Sequence, residues 1–316
     1  MDFKTNLIPG IQKQDIGTIF QKILALSSES DGHFYLIYQS HEQKTTLTDL
    51  VAKKTLNLFE YNGYQIKPTP GIIELNLANE QDQNILKQSI EEFCLAIDPK
   101  TTLYAKARFV YGWIISPLSA ELLAKQLGFI AIQKSDDENQ LLRYFDPVVL
   151  SILLNILILE QQQYLLNSVQ FWLYINSDGH LIIKKNHREV REHLLGNLGI
   201  DSEQWRQINW IENRNQVLAR YHFFYPQYHL VESEADTIIM QAFKSAIRKG
   251  YDDKRDLSEY AYQSLVIHPQ FIEHPIITKA IKQNSNQSLI KQLQNITPTQ
   301  WDIVKNAVNK NIEGNK

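Results

Sequence analysis

Apolar and polar residues in the first half of the chain repeat with two different periods. Between residues 16 and 23 the apolar residues recur at helical spacing, whereas the aromatic and branched run 34–38 predicts a strand. Apolar and polar residues alternate over 73–77, which predicts a half-buried strand. The same criteria predict helices over 46–59, 86–97 and 118–127 and strands over 109–115 and 141–145. Helical and strand periods that follow one another in this way are typical of helices packed on a sheet.

Residues that cap helices mark several element boundaries. Asp146 followed by Pro147 predicts the start of a helix, because aspartate caps a helix and proline fits its first turn. Ser116 followed by Pro117 predicts a second start of the same kind. The segment 297–300 has the capping-box pattern, in which a threonine and a glutamine satisfy each other's backbone amides. Helices are therefore expected to begin at these three places.

The hydrophobic pattern changes after Asn186. Strands over 171–175 and 180–183 flank a turn that ends in glycine, which predicts a hairpin. Beyond Asn186 the strand signals stop, and amphipathic helical spacing takes over. The sequence therefore predicts an α+β or α/β lobe over 1–186, with a mixed sheet and packed helices, followed by an all-α lobe over 187–316.

Composition and charge narrow the class of protein. Hydrophobic residues make up 43% of the chain and charged residues 21%, so the chain holds enough apolar material to bury a core. The formal net charge is −3. Proteins that bind nucleic acid present a clustered basic surface, because their affinity rests on neutralising phosphates. The composition therefore argues against a nucleic-acid partner.

Three features predict that the chain stays in the cytoplasm. Cys94 is the only cysteine, so no intrachain disulfide can form, which is typical of a reducing compartment. Residues 1–11 lack the continuous apolar stretch of a signal peptide. The longest apolar run, 148–159, is interrupted by Ser151 and Asn155 and is shorter than the about 20 residues that span a bilayer. No membrane span is predicted.

The chain lacks the short motifs of common catalytic and cofactor sites. None of its 12 glycines forms the G-x-G spacing that lets backbone amides approach a phosphate. The nucleophile elbow G-x-S-x-G, the zinc helix H-E-x-x-H and the calcium loop are also absent. Cys94 lies beside Phe93 on an apolar helical face, where a thiol acts as a small hydrophobic group. These observations predict no cofactor and no enzymatic activity.

The nine histidines do not form a convincing metal pattern. His187 and His193 lie among alternating basic and acidic residues, which is typical of a solvated helix face. His222 and His229 are close enough in sequence to share a helix face, but Pro226 lies between them and is expected to break the helix. We therefore predict no metal site.

Aromatic residues are densest over 205–228. Large rigid rings are the usual anchors of protein interfaces, because they bury much area with little loss of conformational entropy. Trp210, Phe224 and Tyr228 are therefore the candidates for a partner-binding surface. An ordinary core of the helical lobe is the alternative interpretation of the same residues.

One set of residues resembles the signature of a known family. The matching positions are Gly112 and Trp113, Ser116, a helix through Leu122 and Leu123, and the block Arg143, Tyr144, Phe145, Asp146 and Pro147. This pattern resembles that of the type VI secretion effector-chaperone family, and the looser match covers residues 32–183, about half the chain. The helix over 118–127 lacks the basic, histidine-containing end that is common in that family.

The motif residues also have structural interpretations of their own. Asp146 is expected to cap the helix that begins at Pro147. Tyr144 and Phe145 are expected to place one ring on each face of a strand. Arg143 is expected to pair with a nearby acid or an exposed carbonyl. All of these roles concern the fold rather than catalysis.

The resemblance implies a specific function. A member of this family binds a toxic effector protein in the cytoplasm, keeps it soluble and presents it to the valine-glycine-repeat (VgrG) spike, with no cofactor and no turnover. A small-molecule enzyme on the α/β lobe is an alternative, and its sign would be a concave pocket with convergent titratable groups at the strand ends. A scaffold or an immunity-type binding protein is a third interpretation.

Overall fold

The computed structural model describes residues 15–42, 44–61, 63–97, 108–135, 138–186, 197–225, 230–284 and 287–313, and the side chains of the last helix as far as residue 307. The described residues through Asn209 form one compact unit, and those from Trp210 onward form a second. The first unit contains a sheet with packed helices, and the second consists of helices. The predicted fold class, an α+β part followed by an all-α part, is confirmed.

The first unit is built on a six-stranded sheet in which neighbouring strands run antiparallel. Its strands are β1 (His33–Tyr38), β2 (Asn57–Leu58), β3 (Gly71–Leu75), β4 (Val110–Ser116), β7 (Phe171–Ile175) and β8 (Leu181–Lys185), in the order β2-β3-β1-β4-β7-β8. A separate hairpin is formed by β5 (Ile132–Ser135) and β6 (Glu138–Leu141). The helices are α1 (Ile16–Ser28), α2 (Thr46–Val51), α3 (Glu80–Ala96), α4 (Ala120–Ile130), α5 (Pro147–Ile156), α6 (Leu159–Leu165) and α7 (Ser202–Asn209).

Both faces of this sheet are covered. On one face, Trp113 of β4 stacks on Phe93 of α3 with ring centroids 5.7 Å apart. Its neighbour Ile114 points to the other face and pairs with Trp172 of β7, which contacts Tyr144 at 5.6 Å. All seven residues of β4 are buried as a result. The core of the first unit therefore lies in two layers, one on each side of β4.

The second unit packs helices around its own core. Its elements are α8 (Ile211–Phe224), α9 (Glu232–Arg248), α10 (Lys254–Val266), a 3₁₀ turn (Phe271–Glu273), α11 (Pro275–Gln283), α12 (Leu289–Leu293) and α13 (Pro298–Glu313). Phe243, Tyr260 and Phe271 are fully buried at its centre. Arg214 is buried as well and donates to Glu232 at 2.9 Å, which joins α8 to the start of α9.

The division between the units comes later in the chain than the predicted boundary after Asn186. The segment before α7 is bound to the first unit, because the Leu198 amide donates to the Gln133 side chain at 2.8 Å. In α7, Gln204 exchanges side-chain hydrogen bonds of 2.7 and 3.0 Å with Gln161 of α6. These contacts join residues that are far apart in the sequence. The spacing of hydrophobic residues along the chain therefore does not predict them.

One predicted helix end and one predicted helix start differ from the structure. The helix predicted over 46–59 ends at Val51 and is followed by β2. Ser116 does not cap a helix: it remains in β4, where its hydroxyl donates to the Ser168 carbonyl at 2.7 Å. Ser119 is the actual cap, and its side chain accepts from the Leu122 amide.

The helix after Ser119 also continues past its predicted end. It runs through Gly128 to Ile130. A Cβ at Gly128 would lie 2.4 Å from the Glu60 backbone, so this glycine serves the close approach of another segment and not the end of a helix.

The local boundary signals elsewhere are confirmed. Asp146 caps α5 by accepting from the Val148 amide at 3.1 Å, and Pro147 occupies the first turn. The strands β7 and β8 form the expected hairpin. Thr297 and Gln300 form the capping box of α13, with bonds of 2.9 and 3.3 Å.

Candidate functional site

A β-bulge lies where the motif residues Gly112 and Trp113 enter the sheet. Ile37 of β1 pairs with Gly112, whereas Tyr38 pairs with Val110, so Tyr111 is the extra residue on β4. Gly112 has a φ of +135°, in the region that favours glycine. A Cβ at this position would also lie 2.4 Å from the Leu173 carbonyl oxygen. Glycine is therefore required here by both the backbone angle and the neighbouring strand.

The bulge decides where the Tyr111 ring lies. In a regular strand, Tyr111 and Trp113 would share one face. Instead, Trp113 packs on α3, while the Tyr111 ring makes an edge contact with Phe145, centroids 5.5 Å apart, on the opposite face. The Tyr111 hydroxyl donates to the Gln39 side chain at 3.1 Å. The two halves of the signature, Gly112–Trp113 and 143–147, are therefore in contact through Tyr111.

Tyr144 and Phe145 do not lie in a strand, which corrects the expectation of one ring on each strand face. They belong to the turn between β6 and α5, and both rings are buried. Phe145 makes edge contacts with Tyr111 and Phe59 at 5.5 Å each. The Tyr144 hydroxyl donates to the Leu127 carbonyl at 3.0 Å. Both residues thus fasten the turn to the sheet and to α4.

Two guanidinium groups face the Asp146 carboxylate. Arg108 Nη1 donates to Asp146 Oδ1 at 3.1 Å, while Arg143 Nη2 lies 3.8 Å from Asp146 Oδ2 and 3.5 Å from the Tyr111 hydroxyl. The expected acidic partner of Arg143 is therefore Asp146, at long range. Arg108 was not predicted, because a single basic residue 38 positions before Asp146 carries no recognisable spacing.

Burial controls the protonation of the hydroxyl and imidazole groups at this end of the sheet. It raises the pKa of Tyr111 to about 12, and it also raises the pKa of Tyr61, although the charge of Arg143 opposes both shifts. Both hydroxyls are therefore hydrogen-bond donors at neutral pH. The His41 ring stacks on Phe109 at 3.4 Å, and burial lowers its pKa despite the opposing charge of Glu92.

The three residues predicted to bind a partner have different environments. Trp210 is buried and packs against Phe243 at 5.7 Å, so it belongs to the core of the second unit. Phe224 is the last residue of α8 and is 58% exposed, with an edge contact to Phe223 at 5.1 Å. Tyr228 lies outside the described residues. Of the three, Phe224 is the one that the structure places at the surface.

The surroundings of Phe224 include features that sequence reasoning missed. One turn earlier on α8, the Arg220 guanidinium lies 3.6 Å from the centre of the Tyr262 ring and donates to Glu259 at 2.8 Å. Residues four positions apart on a helix lie side by side, so Arg220 and Phe224 share one face of α8. An exposed aromatic residue beside a cation has the composition of a protein-binding surface.

The histidines and Cys94 have structural surroundings where they are described. His222 is buried beside Tyr221, and α8 ends before Pro226. His187, His193 and His229 lie outside the described residues. Cys94 is partly buried against the core. Within the described ranges, no group of three or more His, Cys, Asp or Glu side chains is placed to hold a metal ion.

A shallow groove of about 540 Å³ lies along α11 in the second unit, lined by Glu273, Pro275, Thr278, Lys279, Lys282 and Gln283. It does not lie at the strand ends, where the enzymatic alternative would place a pocket. None of the helices that the structure describes is both long and apolar enough to cross a bilayer.

Comparisons of the chain with protein-family models, with curated proteins and with solved structures each found no match. The functional interpretation therefore rests on the contacts and the chemistry of the chain's own residues.

Proposed function

We propose that this chain is a non-catalytic chaperone or adaptor of a type VI secretion system, which binds a toxin effector in the cytoplasm and helps to load it onto the VgrG spike. The main support is the way the signature residues meet. Gly112 produces the bulge that carries Tyr111 to Phe145. Arg143 lies 3.5 Å from the Tyr111 hydroxyl and 3.8 Å from the Asp146 carboxylate. Residues that resemble one family signature thus act together as one structural cluster.

This cluster is better suited to a structural role that different adaptors share than to the selection of one particular toxin. Tyr111, Tyr144 and Phe145 are buried, so they are not available to touch a partner directly. An adaptor that serves one toxin needs an exposed surface of its own. We place that surface in the second unit, at the end of α8, because Phe224 is exposed there beside the Arg220 guanidinium.

Binding at this surface would stabilise the effector by covering its apolar segments. An aromatic side chain buries a large apolar area, and a central one contributes about 2 kcal/mol or more to binding. The chaperone itself needs neither a cofactor nor a reaction for this task. The physical work is exclusion of water from the effector's apolar surface before loading.

Co-expression tests the proposal directly. The chain would be produced with the toxin and spike proteins encoded beside its gene, and each complex would be isolated by size-exclusion chromatography. We expect the toxin to be soluble only with the chain present, to elute with it, and to lose secretion when the chain is deleted. The Phe224→Ala variant should release the toxin, whereas Ile303→Ala, a change at another half-exposed apolar residue, should not.

Two outcomes would contradict the proposal. If the chain protects cells from the toxin while its deletion leaves secretion unchanged, it is an immunity-type protein. If the purified chain turns over a small molecule and binds no toxin, the enzymatic alternative is correct.

A further inference from the structure

We propose that the outer edge of β8 accepts an extended, acidic segment of a partner polypeptide as an additional antiparallel strand. The proposal rests on the proposed function only in that the partner is a protein. It concerns the first unit, whereas the proposed toxin surface at Phe224 lies in the second.

The first argument is the position of β8 in the sheet. It is the last strand in the order β2-β3-β1-β4-β7-β8, so among the described strands only β7 pairs with it. Its 5 residues, Leu181–Lys185, give it the length of an ordinary strand. The opposite edge strand, β2, has only 2 residues. The edge of this sheet that is long enough to pair with a further strand is therefore β8.

The second argument is the direction of the backbone groups of β8. The Asn186 amide donates to the Gln170 carbonyl at 2.9 Å, which fixes the hydrogen-bonded positions of the β7–β8 pair. In an antiparallel pair these positions recur at every second residue, so the even-numbered residues of β8 bond to β7. Ile183 and Lys185 turn their N–H and C=O groups the other way. Neither residue bonds through these groups to any part of the chain that the structure describes.

The third argument is the chemistry of the side chains along this edge. Ile183 continues an apolar row from its cross-strand neighbour Leu173 and is 42% exposed. Lys184 and Lys185 follow it, and their side chains point to opposite faces of the strand. Lys185 is exposed, and its ammonium group lies 5.7 Å from the centre of the Phe171 ring. Within the described ranges, no carboxylate forms an ion pair with either lysine.

These features define the partner. Lysines on an edge strand disfavour pairing with another copy of the same edge, because the ammonium groups of both strands would then be brought together. An acidic strand reverses the sign of that interaction. Since every neighbouring pair in the sheet is antiparallel, we expect the added strand to run antiparallel to β8. Its acidic residues then lie opposite Lys185 and Lys184, and an apolar residue follows opposite Ile183.

Hydrogen exchange of the full chain tests the open edge first. Amides that bond to a neighbouring strand exchange slowly, whereas amides at an open edge exchange fast. In the free chain, we expect the Ile183 and Lys185 amides to exchange much faster than the Ile182 and Lys184 amides. If all four amides are equally protected, this edge is already covered and the proposal is wrong.

A short peptide then serves as the probe for the added strand, with binding followed by NMR titration of the labelled full chain. Acetyl-Thr-Glu-Glu-Val-Thr-amide carries the acidic pair and the apolar residue in the antiparallel order. We expect it to slow exchange at the Ile183 and Lys185 amides. Methylation of the valine nitrogen removes the donor that faces Ile183, so it should weaken binding about fivefold. Methylation of the second glutamate nitrogen is the matched control, because that N–H points away from β8 and its loss should have little effect.

Substitution of a lysine tests the role of charge. Lys185→Gln should weaken binding of the probe about threefold, as expected for the loss of one opposite-charge pair between strands. A peptide with glutamine in place of both glutamates should bind more weakly still. The matched control is Lys279→Gln, a change at an exposed lysine of α11 in the second unit, which should bind the probe like the parent chain. Both variants should melt like the parent chain, because both side chains are exposed.

Three further results would overturn the proposal. If methylation of the two peptide nitrogens has the same effect, the peptide does not bind as a strand. If the glutamine peptide binds as tightly as the glutamate peptide, the edge does not select an acidic partner. If the Ile183 and Lys185 amides become protected as the concentration of the chain alone is raised, the edge binds a second copy instead. None of these measurements involves a toxin, so toxin co-elution tests the proposed function separately.

Discussion

The Arg108 guanidinium donates a hydrogen bond of 3.1 Å to the Asp146 carboxylate across 38 positions of the chain. The same carboxylate oxygen accepts from the Val148 amide at 3.1 Å. Asp146 therefore has two roles: it caps α5, and it neutralises the largely buried guanidinium of Arg108, two residues before β4. The second role changes what substitution of Asp146 should do.

Asp146→Ala should lower the free energy of unfolding by clearly more than the loss of a helix cap would. Loss of the cap alone destabilises a protein by about 1 kcal/mol. Removal of one partner of a buried ion pair costs about 3 kcal/mol or more, because the other charge stays buried. We expect about 3 kcal/mol in denaturant unfolding, and a smaller loss for Asp146→Asn, which keeps an oxygen for the cap.

Asp253→Ala is the control for the cap alone, since Asp253 caps α10 through the Arg255 amide and is exposed. It should cost about 1 kcal/mol. Equal losses at Asp146 and Asp253 would mean that the Arg108 pair contributes nothing. Toxin binding lost at unchanged stability would place Asp146 in the interface instead.

Gly112→Ala should be among the most damaging single changes. It places a Cβ against the Leu173 carbonyl oxygen and forces an alanine into a φ of +135°. Strain of this kind costs about 1 to 3 kcal/mol before the clash is counted. Gly250→Ala is the control, because Gly250 has a φ of +87° and open space around it. Thermal unfolding should show a large loss for Gly112→Ala and about 1 kcal/mol for Gly250→Ala.

Trp210→Ala should mainly lower stability, whereas Phe224→Ala should mainly weaken toxin binding. Trp210 is in the core of the second unit, so its truncation should destabilise that unit by about 3 to 5 kcal/mol. Phe224 is exposed, so its truncation should change stability by less than about 0.5 kcal/mol while weakening toxin binding. Melting curves and pull-down of the toxin check both. A Phe224→Ala variant that binds normally would remove α8 from the proposed surface.

Chimeras that carry a foreign second unit should fold and bind a toxin when the two parts are joined between Asn209 and Trp210. A junction after Asn186 exchanges α7 and breaks the Gln161–Gln204 pair, so such a chimera should melt lower. A junction after Asn209 keeps that pair. Such a chimera should bind the toxin of the protein that donated the second unit. If a chimera with a foreign second unit still selects the original toxin, the first unit chooses the partner.

Stability should fall as the pH drops below about 6.5, the ordinary pKa of histidine. Burial lowers the pKa of His41 in the folded chain, so the unfolded chain binds the proton more readily. The contribution is therefore fully present above pH 6.5 and is lost as the pH falls towards the lowered value. His41→Phe should flatten this part of the stability profile. His268 shifts in the same direction, so His268→Gln is needed as the parallel variant.

The sequence by itself determined the features that depend on neighbouring residues. The cap at Asp146, the proline that follows it and the box at Thr297 and Gln300 are bonds between residues at most three positions apart. The hairpin of β7 and β8 likewise depends on one short turn. Such bonds depend only on residues that are close in the sequence. They can therefore be predicted without knowledge of the fold.

The tertiary structure alone decided what depends on distant residues. Gly128 lies inside a helix, and its missing Cβ leaves room for the Glu60 backbone. Tyr111 leaves its expected face because it is the extra residue of a bulge between the pairs Ile37–Gly112 and Tyr38–Val110. Trp210 and Phe224 are equally aromatic, yet Phe243 covers one and leaves the other exposed. Burial and charge pairing depend on segments that contact each other only in the folded chain. The hydrophobic periodicity of the sequence therefore does not predict them.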